Sequence, residues 1–428
     1  MSSRPDQPRT ALIVLTVIFF MWGLITSLND VLVPHLKALF SLDYTHVMLV
    51  QFTFFGAYFL MSLPSGRVLS RWGYKISIAL GLAVTGCGAI LFFPAAALPS
   101  FGLFLAAFFT LATGITLLQV AANPYVSLLG PRRTASSRLN LAQALNSLGT
   151  TIGPKVGGAL ILTGTVLSTA ELDRLAPQAR ELYRAHQASL VQGPYIGLAV
   201  ILFALAAVFG LFRLPAVGVE PGTPAEPGHG PSLLDALRHR PLRLGVIAIF
   251  VYVGAEVSIG SFMINYISLP NIGHMVESRA ATFVSLYWGG AMIGRFAGAV
   301  VLQRVDPRRL LGLVAVVAAA LVATTMMTAG MVAVWSIVAV GLFNSIMFPT
   351  IFAVSIEGLG PLTGRASSLL IMAIVGGAIV PVLQGMMADA GGVQRAYLLP
   401  LICYLYIIYY GFRGSRPEAR RAPIAATS

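Results

Sequence analysis

The chain has 428 residues, of which 57% are hydrophobic and only 10% charged, and its mean hydropathy is +0.82. Too few charges are present to cover a soluble globule of this length, so the composition excludes a soluble protein and points to an all-α polytopic membrane protein. The net charge of +13 does not indicate nucleic acid, because the basic residues sit at the ends of apolar segments rather than on one polar face.

Apolar segments of about 20 residues predict membrane helices at 11–33, 47–69, 75–94, 101–128, 138–164, 193–213, 243–269, 279–303, 309–329, 331–357, 364–390 and 394–412. Arg4 and Arg9 precede the first segment without a small-residue cleavage site, which reads as a retained helix rather than a signal peptide. Asn29 and Asp30 lie inside that segment. A carboxylate at mid-membrane depth costs about 2.5–3.5 kcal/mol, so Asp30 reads as a proton or cation site, with Trp22, Thr26 and Ser27 on its face. The alternative is an interfacial acid near the helix end. The second segment ends in GRVLSRWGYK, a basic loop carrying Arg71 and Lys75.

The fourth segment places Gln119 and Asn123 one turn apart. Asn123 precedes Pro124, and its amide serves either a solute or the backbone groups that the proline frees. The fifth carries Asn140, Gln143, Asn146 and Ser147 on one side. Uncharged amides that both donate and accept suit a hydroxyl-rich solute, although they also act as glue between membrane helices. Stretches 165–192 and 214–242 are polar, and the second is a Pro- and Gly-rich linker whose SLLDALRHR end predicts a short surface helix.

In the second half, Glu256 is the other acid at membrane depth, in a segment with Tyr252 and Ser258. Its readings are a coupling-ion site, an acceptor for sugar hydroxyls, or the partner of a buried cation, for which Lys155 and Arg295 are candidates. Lys155 also has the reach to snorkel outward. Arg295, in a GRF next to a basic loop, reads rather as a gate element, together with Arg71, Lys75 and Arg304. Asn344 and Phe348 share a face of the tenth segment, and Tyr287 and Trp288 sit in the eighth. Cys87 and Cys403 read as small core residues.

With the N-terminus placed inside, 20 Lys and Arg flank the inner side and 6 the outer. That bias predicts both termini and the linker in the cytoplasm. The halves also repeat. Gly130-Pro131 and Ser136-Ser137 recur as Gly360-Pro361 and Ser367-Ser368, and the loop from Gly66 recurs from Gly294. The expected domains are a six-helix bundle over 1–213, a linker over 214–242, and a second bundle with its tail over 243–428. Such a parallel repeat leaves a central cavity between its halves. No phosphate-binding loop, HExxH or Cys/His cluster is present, so no enzyme activity, cofactor or metal is expected. Uphill transport would draw on an ion gradient, worth about 2.3 kcal/mol per charge per 100 mV.

Gly66, Arg71, Gly73 and Lys75 in the first loop, with Ser70 where an Asp is usual, resemble the major facilitator superfamily. The runs SLNDVLVPHLKALF, LLQVAANPYVSLLGP, SRLNLAQALNSLGT and FPTIF resemble its fucose–galactose–glucose permease branch. The resemblance implies the major facilitator fold and sugar:cation symport across a bacterial inner membrane, by a monomer. Asp30 falls on that branch's proton acid. Gln119 stands where the fucose permease has a second acid. Gln143 and Asn146 fall on its sugar-contacting amides, and Glu256 replaces an amide. This set is more similar to glucose/galactose or N-acetylglucosamine permeases than to the fucose permease, and it leaves proton or sodium as the ion. The expected coupling residues are therefore Asp30 and Glu256. The expected sugar contacts are Asn29, Gln119, Asn123, Gln143, Asn146, Glu256 and Asn344. A drug/proton antiporter needs a wide apolar cavity, and a sensor needs a signalling domain for which the short tails leave no room.

Overall fold

The structure is a computed structural model that describes residues 7–40, 44–98, 100–161, 176–211, 215 and 232–416; the side chains of Asn29 and Asp30 are outside that set. Helices follow in the order α1 (Gln7–Phe40), α2 (Tyr44–Ala97), α3 (Phe101–Leu128), α4 (Ala135–Ile161), α5 (Pro177–Leu211), α6 (Leu233–Leu237), α7 (Arg240–Ile267), α8 (Glu277–Val301) and α9 (Pro307–Met327). Then come α10 (Gly330–Asn344), α11 (Met347–Ser355), α12 (Thr363–Met372), α13 (Gly376–Gly391), α14 (Val393–Ala396) and α15 (Leu398–Tyr409). No strand occurs among the described residues.

Ten runs among the described residues are long and apolar enough to cross a bilayer. The run within α2 holds two crossings. At about 1.5 Å per residue, its 54 residues would otherwise reach about 80 Å, far beyond a core about 30 Å thick. The backbone leaves the helix at Gly73, at φ 72° and ψ 176°, a region that a side chain would strain. The predicted second and third segments are thus joined by a one-residue break. The amide-rich α4 falls outside the ten runs and supplies the remaining crossing, which brings the total to the twelve expected.

Three predicted segments differ in detail. The sixth begins at Pro177 rather than 193, because QARELYRAHQASL is rich in helix formers and extends the helix beyond its apolar part. The tenth is interrupted between Asn344 and Met347, and the eleventh passes through a 3-10 turn at Ala373–Val375, ahead of the Gly376-Gly377 pair. Local breaks of this kind do not disturb hydropathy. The predicted surface helix is α6, closed by a capping box in which Ser232 Oγ accepts from the Asp235 amide and Asp235 accepts from the Ser232 amide.

Without water to drive helices together, contact depends on small residues. Gly149 of α4 lies so close to the Phe20 carbonyl of α1 that no side chain would fit, and Gly376 of α13 lies in the same way against the Phe250 carbonyl of α7. The same contact is built twice, once in each half. Large apolar side chains such as Ile13, Phe52, Val200 and Ile293 face outward, as a lipid-covered surface requires.

The two halves meet along α2 with α12 and α4 with α8. Here the repeated serine pairs find their place. Ser137 Oγ donates to the Ala299 carbonyl of the other half, and Ser367 Oγ donates to the Val120 carbonyl at 2.8 Å. Asn140 Nδ2 adds a bond to Thr350 Oγ1 at 3.4 Å. All three lie toward the arginine-rich face, where α4 and α12 begin.

Candidate functional site

The site is built from polar side chains that the apolar helices bury. In the first half they are neutral. Trp22 of α1 stands against the Tyr58 hydroxyl of α2, and Gln119 Nε2 of α3 donates to that hydroxyl at 2.7 Å. Gln143 Nε2 of α4 reaches Asn123 Oδ1 at 3.5 Å, the long limit of a hydrogen bond. Asn123 is fully buried, and its Nδ2 has no partner. Asn146 Nδ2 donates to the Phe19 carbonyl at 3.0 Å. Asn140 Oδ1 is also buried without a partner. A buried amide without a partner costs about 1–3 kcal/mol, which a hydroxyl-bearing ligand would recover.

In the second half the groups around Glu256 and Asn344 pair with one another, whereas Ser258 Oγ on α7 and both amide atoms of Gln384 on α13 are buried without a partner. Tyr252 Oη donates to Glu256 Oε1 at 2.8 Å, one turn apart on α7. Arg295 of α8 places Nη2 3.5 Å from the same oxygen, and both side chains are 13% exposed. Arg295 Nε donates to the Ser345 carbonyl at 3.2 Å, and Nη1 donates to Ser147 Oγ of the opposite half. Asn344 Nδ2 donates to Tyr287 Oη at 2.9 Å while Asn344 Oδ1 accepts from Tyr404 Oη at 3.1 Å.

Arg295 is therefore not grouped with the basic loops. It is the partner of Glu256, as burial of a carboxylate demands. Lys155 is exposed on α4, so of the two candidate cations it is the arginine that pairs. Arg71 and Arg304 are exposed, and Lys75 is half-buried beside the Gly73 break. Ser147 bridges the two clusters, since its hydroxyl also donates to the Gln143 carbonyl at 3.0 Å. Gln119, Asn123, Gln143 and Glu256 are thus brought into one connected region. Asn344 is adjacent but satisfied. The expected Asn29 and Asp30 side chains lie outside the described residues.

Three residues were not legible as participants. Tyr58 and Tyr404 read as packing in apolar runs, and only the amides facing them give them a role. Gln384 of α13 is fully buried, and neither its Nε2 nor its Oε1 has a partner. Its signal was present in the sequence as a lone amide in an otherwise apolar stretch.

A family model of the Major Facilitator Superfamily matches residues 12–380. The chain belongs to that superfamily. Within it, the chain is 48% identical to a glucose/galactose transporter of Brucella abortus over 406 residues, 95% of this chain and 94% of the other. It is 34% identical to the L-fucose-proton symporter of Escherichia coli, covering 93% and 91%. A solved structure of the E. coli fucose:proton symporter superposes with a TM-score of 0.88 at 32% identity, covering 95% and 98%. A second structure of that protein, in the outward conformation, gives 0.87 at 33% identity, covering 94% and 97%. Relationship within the superfamily thus extends over nearly the whole chain, as the segment pattern and long motifs imply.

Proposed function

We propose that the chain is a secondary sugar transporter that imports a hexose of the glucose/galactose type together with protons. The observation that carries this is the neutral amide cluster of Gln119, Asn123 and Gln143. It is buried inside a membrane bundle, beside the seam between two repeats, and one donor is left open. The likeness to the Brucella glucose/galactose transporter supports the substrate class, and the likeness to the E. coli symporter supports proton coupling.

Asp30 takes and releases the coupling proton. Its reprotonation state selects which face of the cavity opens, because only the neutral form is cheap to enclose in the closed bundle. Gln119, Asn123, Gln143 and Asn146 hold sugar hydroxyls. Glu256, held by Tyr252 and Arg295, offers its remaining lone pairs to the sugar. When the halves 1–213 and 243–428 rock apart about the linker 214–242, the bond from Arg295 to Ser147 is the one near this cluster that must break. Charge bias supports a cytoplasmic arginine-rich face, with both termini on the inner side of a plasma membrane. The seam bonds hold that face together, so sugar enters from the opposite side.

Proteoliposomes with radiolabelled glucose test the reading, with galactose, N-acetylglucosamine and L-fucose as competitors. An imposed inward proton gradient should drive accumulation that glucose and galactose compete away, and an imposed sodium gradient alone should not. Absence of accumulation under either gradient overturns the reading. Competition by fucose or N-acetylglucosamine alone overturns the substrate.

A further inference from the structure

The arginine-rich face carries a hollow of about 800 Å³ that shares no lining residue with the buried amide cluster. Both halves line it. Arg132 and Arg133 come from the turn before α4, Arg304 comes from the turn before α9, and Arg308 comes from the first turn of α9. Its two carboxylates are already engaged. Glu357 pairs with Arg308 at 2.5 Å, and Asp306 Oδ1 accepts from the Arg309 amide as the cap of α9. Arg132, Arg133 and Arg304 have no carboxylate within ion-pair distance among the described residues. The N-terminal ends of α4 and α12 also open onto the hollow, at Ala135 and Thr363, and no side chain caps α12. Guanidinium groups and helix N-termini both favour anions, and the planar fork of arginine fits phosphate oxygens in pairs.

Charge bias across the membrane explains why arginines lie on this face. It does not explain why arginines of opposite halves surround one concave space, where like charges oppose closure. We propose that the hollow binds a compact phosphate-bearing anion, and that the bound anion holds the two halves closed on this face. The site exists only while residues 132–133 and 304–308 stand together. An anion bridging them therefore binds the closed arrangement more tightly than the open one and shifts the population toward it. Opening on this face is a step of every transport cycle in the mechanism proposed above, so the anion slows uptake. The effect on uptake rests on the transport reading; binding itself does not.

The test uses the full chain, with inorganic pyrophosphate as the probe and potassium chloride at matched ionic strength as the control. Detergent-purified protein should gain about 2 °C or more in apparent Tm with millimolar pyrophosphate. In proteoliposomes, pyrophosphate trapped on the arginine-rich side should slow glucose uptake by about three-fold, against no change when it is added to the other side. Arg132→Gln with Arg133→Gln should remove both effects while basal uptake stays within about two-fold, since neither residue reaches the amide cluster. Nanodiscs with and without phosphatidic acid separate the two sources of phosphate. Stabilisation by pyrophosphate assigns the hollow to a soluble anion, and stabilisation by the lipid alone assigns it to a headgroup. No stabilisation by either, or a gain in Tm that the double variant retains, overturns the site. Stabilisation with unchanged uptake overturns the closure effect alone, and failure of sugar uptake without pyrophosphate would count against the transport reading instead.

Discussion

The two polar clusters meet at Ser147 but are built on opposite principles. In the first half, Gln119, Asn123 and Gln143 are neutral, their mutual bonds are few or long, and the Asn123 donor is open. In the second, Glu256 has a tyrosine and an arginine on one oxygen, and both amide atoms of Asn344 are engaged by tyrosines. A cluster that satisfies itself is rigid and gains little from a ligand. One that does not satisfy itself is unstable until a ligand arrives. In the transport reading proposed above, the open amide cluster is the better suited to recognition and the Glu256–Arg295 cluster the better suited to holding shape.

Asp30→Asn in the first half should have the largest effect on transport. Accumulation, worth about 50-fold per 100 mV for a single charge, should fall to equilibration while sugar exchange persists. Measuring both in the same vesicles checks it, and full uphill uptake would remove Asp30 from coupling. In the second half, Arg295→Met should have the largest effect on stability. It strands Glu256 in the bundle at a cost of about 3–5 kcal/mol, read as a fall in Tm. Adding Glu256→Gln should recover most of that loss, and no recovery would mean that Arg295 acts through Ser345 and Ser147 alone. Gln143→Ala sharpens the contrast. It should raise the KM for sugar about ten-fold while leaving the Tm nearly unchanged, the reverse of the arginine variant.

The smallest effect lies outside both clusters. Ser232→Ala removes the cap of α6 and should cost about 1 kcal/mol, seen as faster proteolysis at the linker. Hydrogen bonds from the Ser232 amide and hydroxyl hold the Asp235 carboxyl below the ordinary carboxylate range, with help from the Arg238 charge. A lowered carboxylate value contributes stability above the unfolded value, about 3.9, and loses it as pH falls through the folded one. The same proteolysis assay should therefore show wild-type α6 loosening only in acid below about pH 4, and the Ser232 variant loosening at higher pH.

Hydropathy was enough to find most of the crossings, because lipid imposes one length scale on every helix, although the amides of α4 weaken its apolar signal. It was blind to the Gly73 break, which needs one backbone angle rather than a polar loop, and to the early start of α5, which lies beyond the apolar run. Amides stood out in the sequence because any polar group in hydrocarbon is conspicuous. Their partners did not, since Tyr58 and Tyr404 are separated from Gln119 and Asn344 by 61 and 60 positions. Arg295 was open to two readings, as partner of Glu256 and as gate element, for the same reason. Its neighbours along the chain belong to a basic loop, whereas its neighbours in space come from α7, from Ser345 and from α4. Buried Gln384 shows that a conspicuous residue is legible only when a reason is sought for each one.

The serine pairs at the seam have a consequence for speed. Neutral bonds of that sort contribute about 1 kcal/mol net apiece, so the three together come to about 3 kcal/mol. A single proton descending 100 mV releases about 2.3 kcal/mol, a comparable amount. Among the described residues no ion pair joins the halves, so the fastening on this side is weak enough for one turnover's driving force to undo.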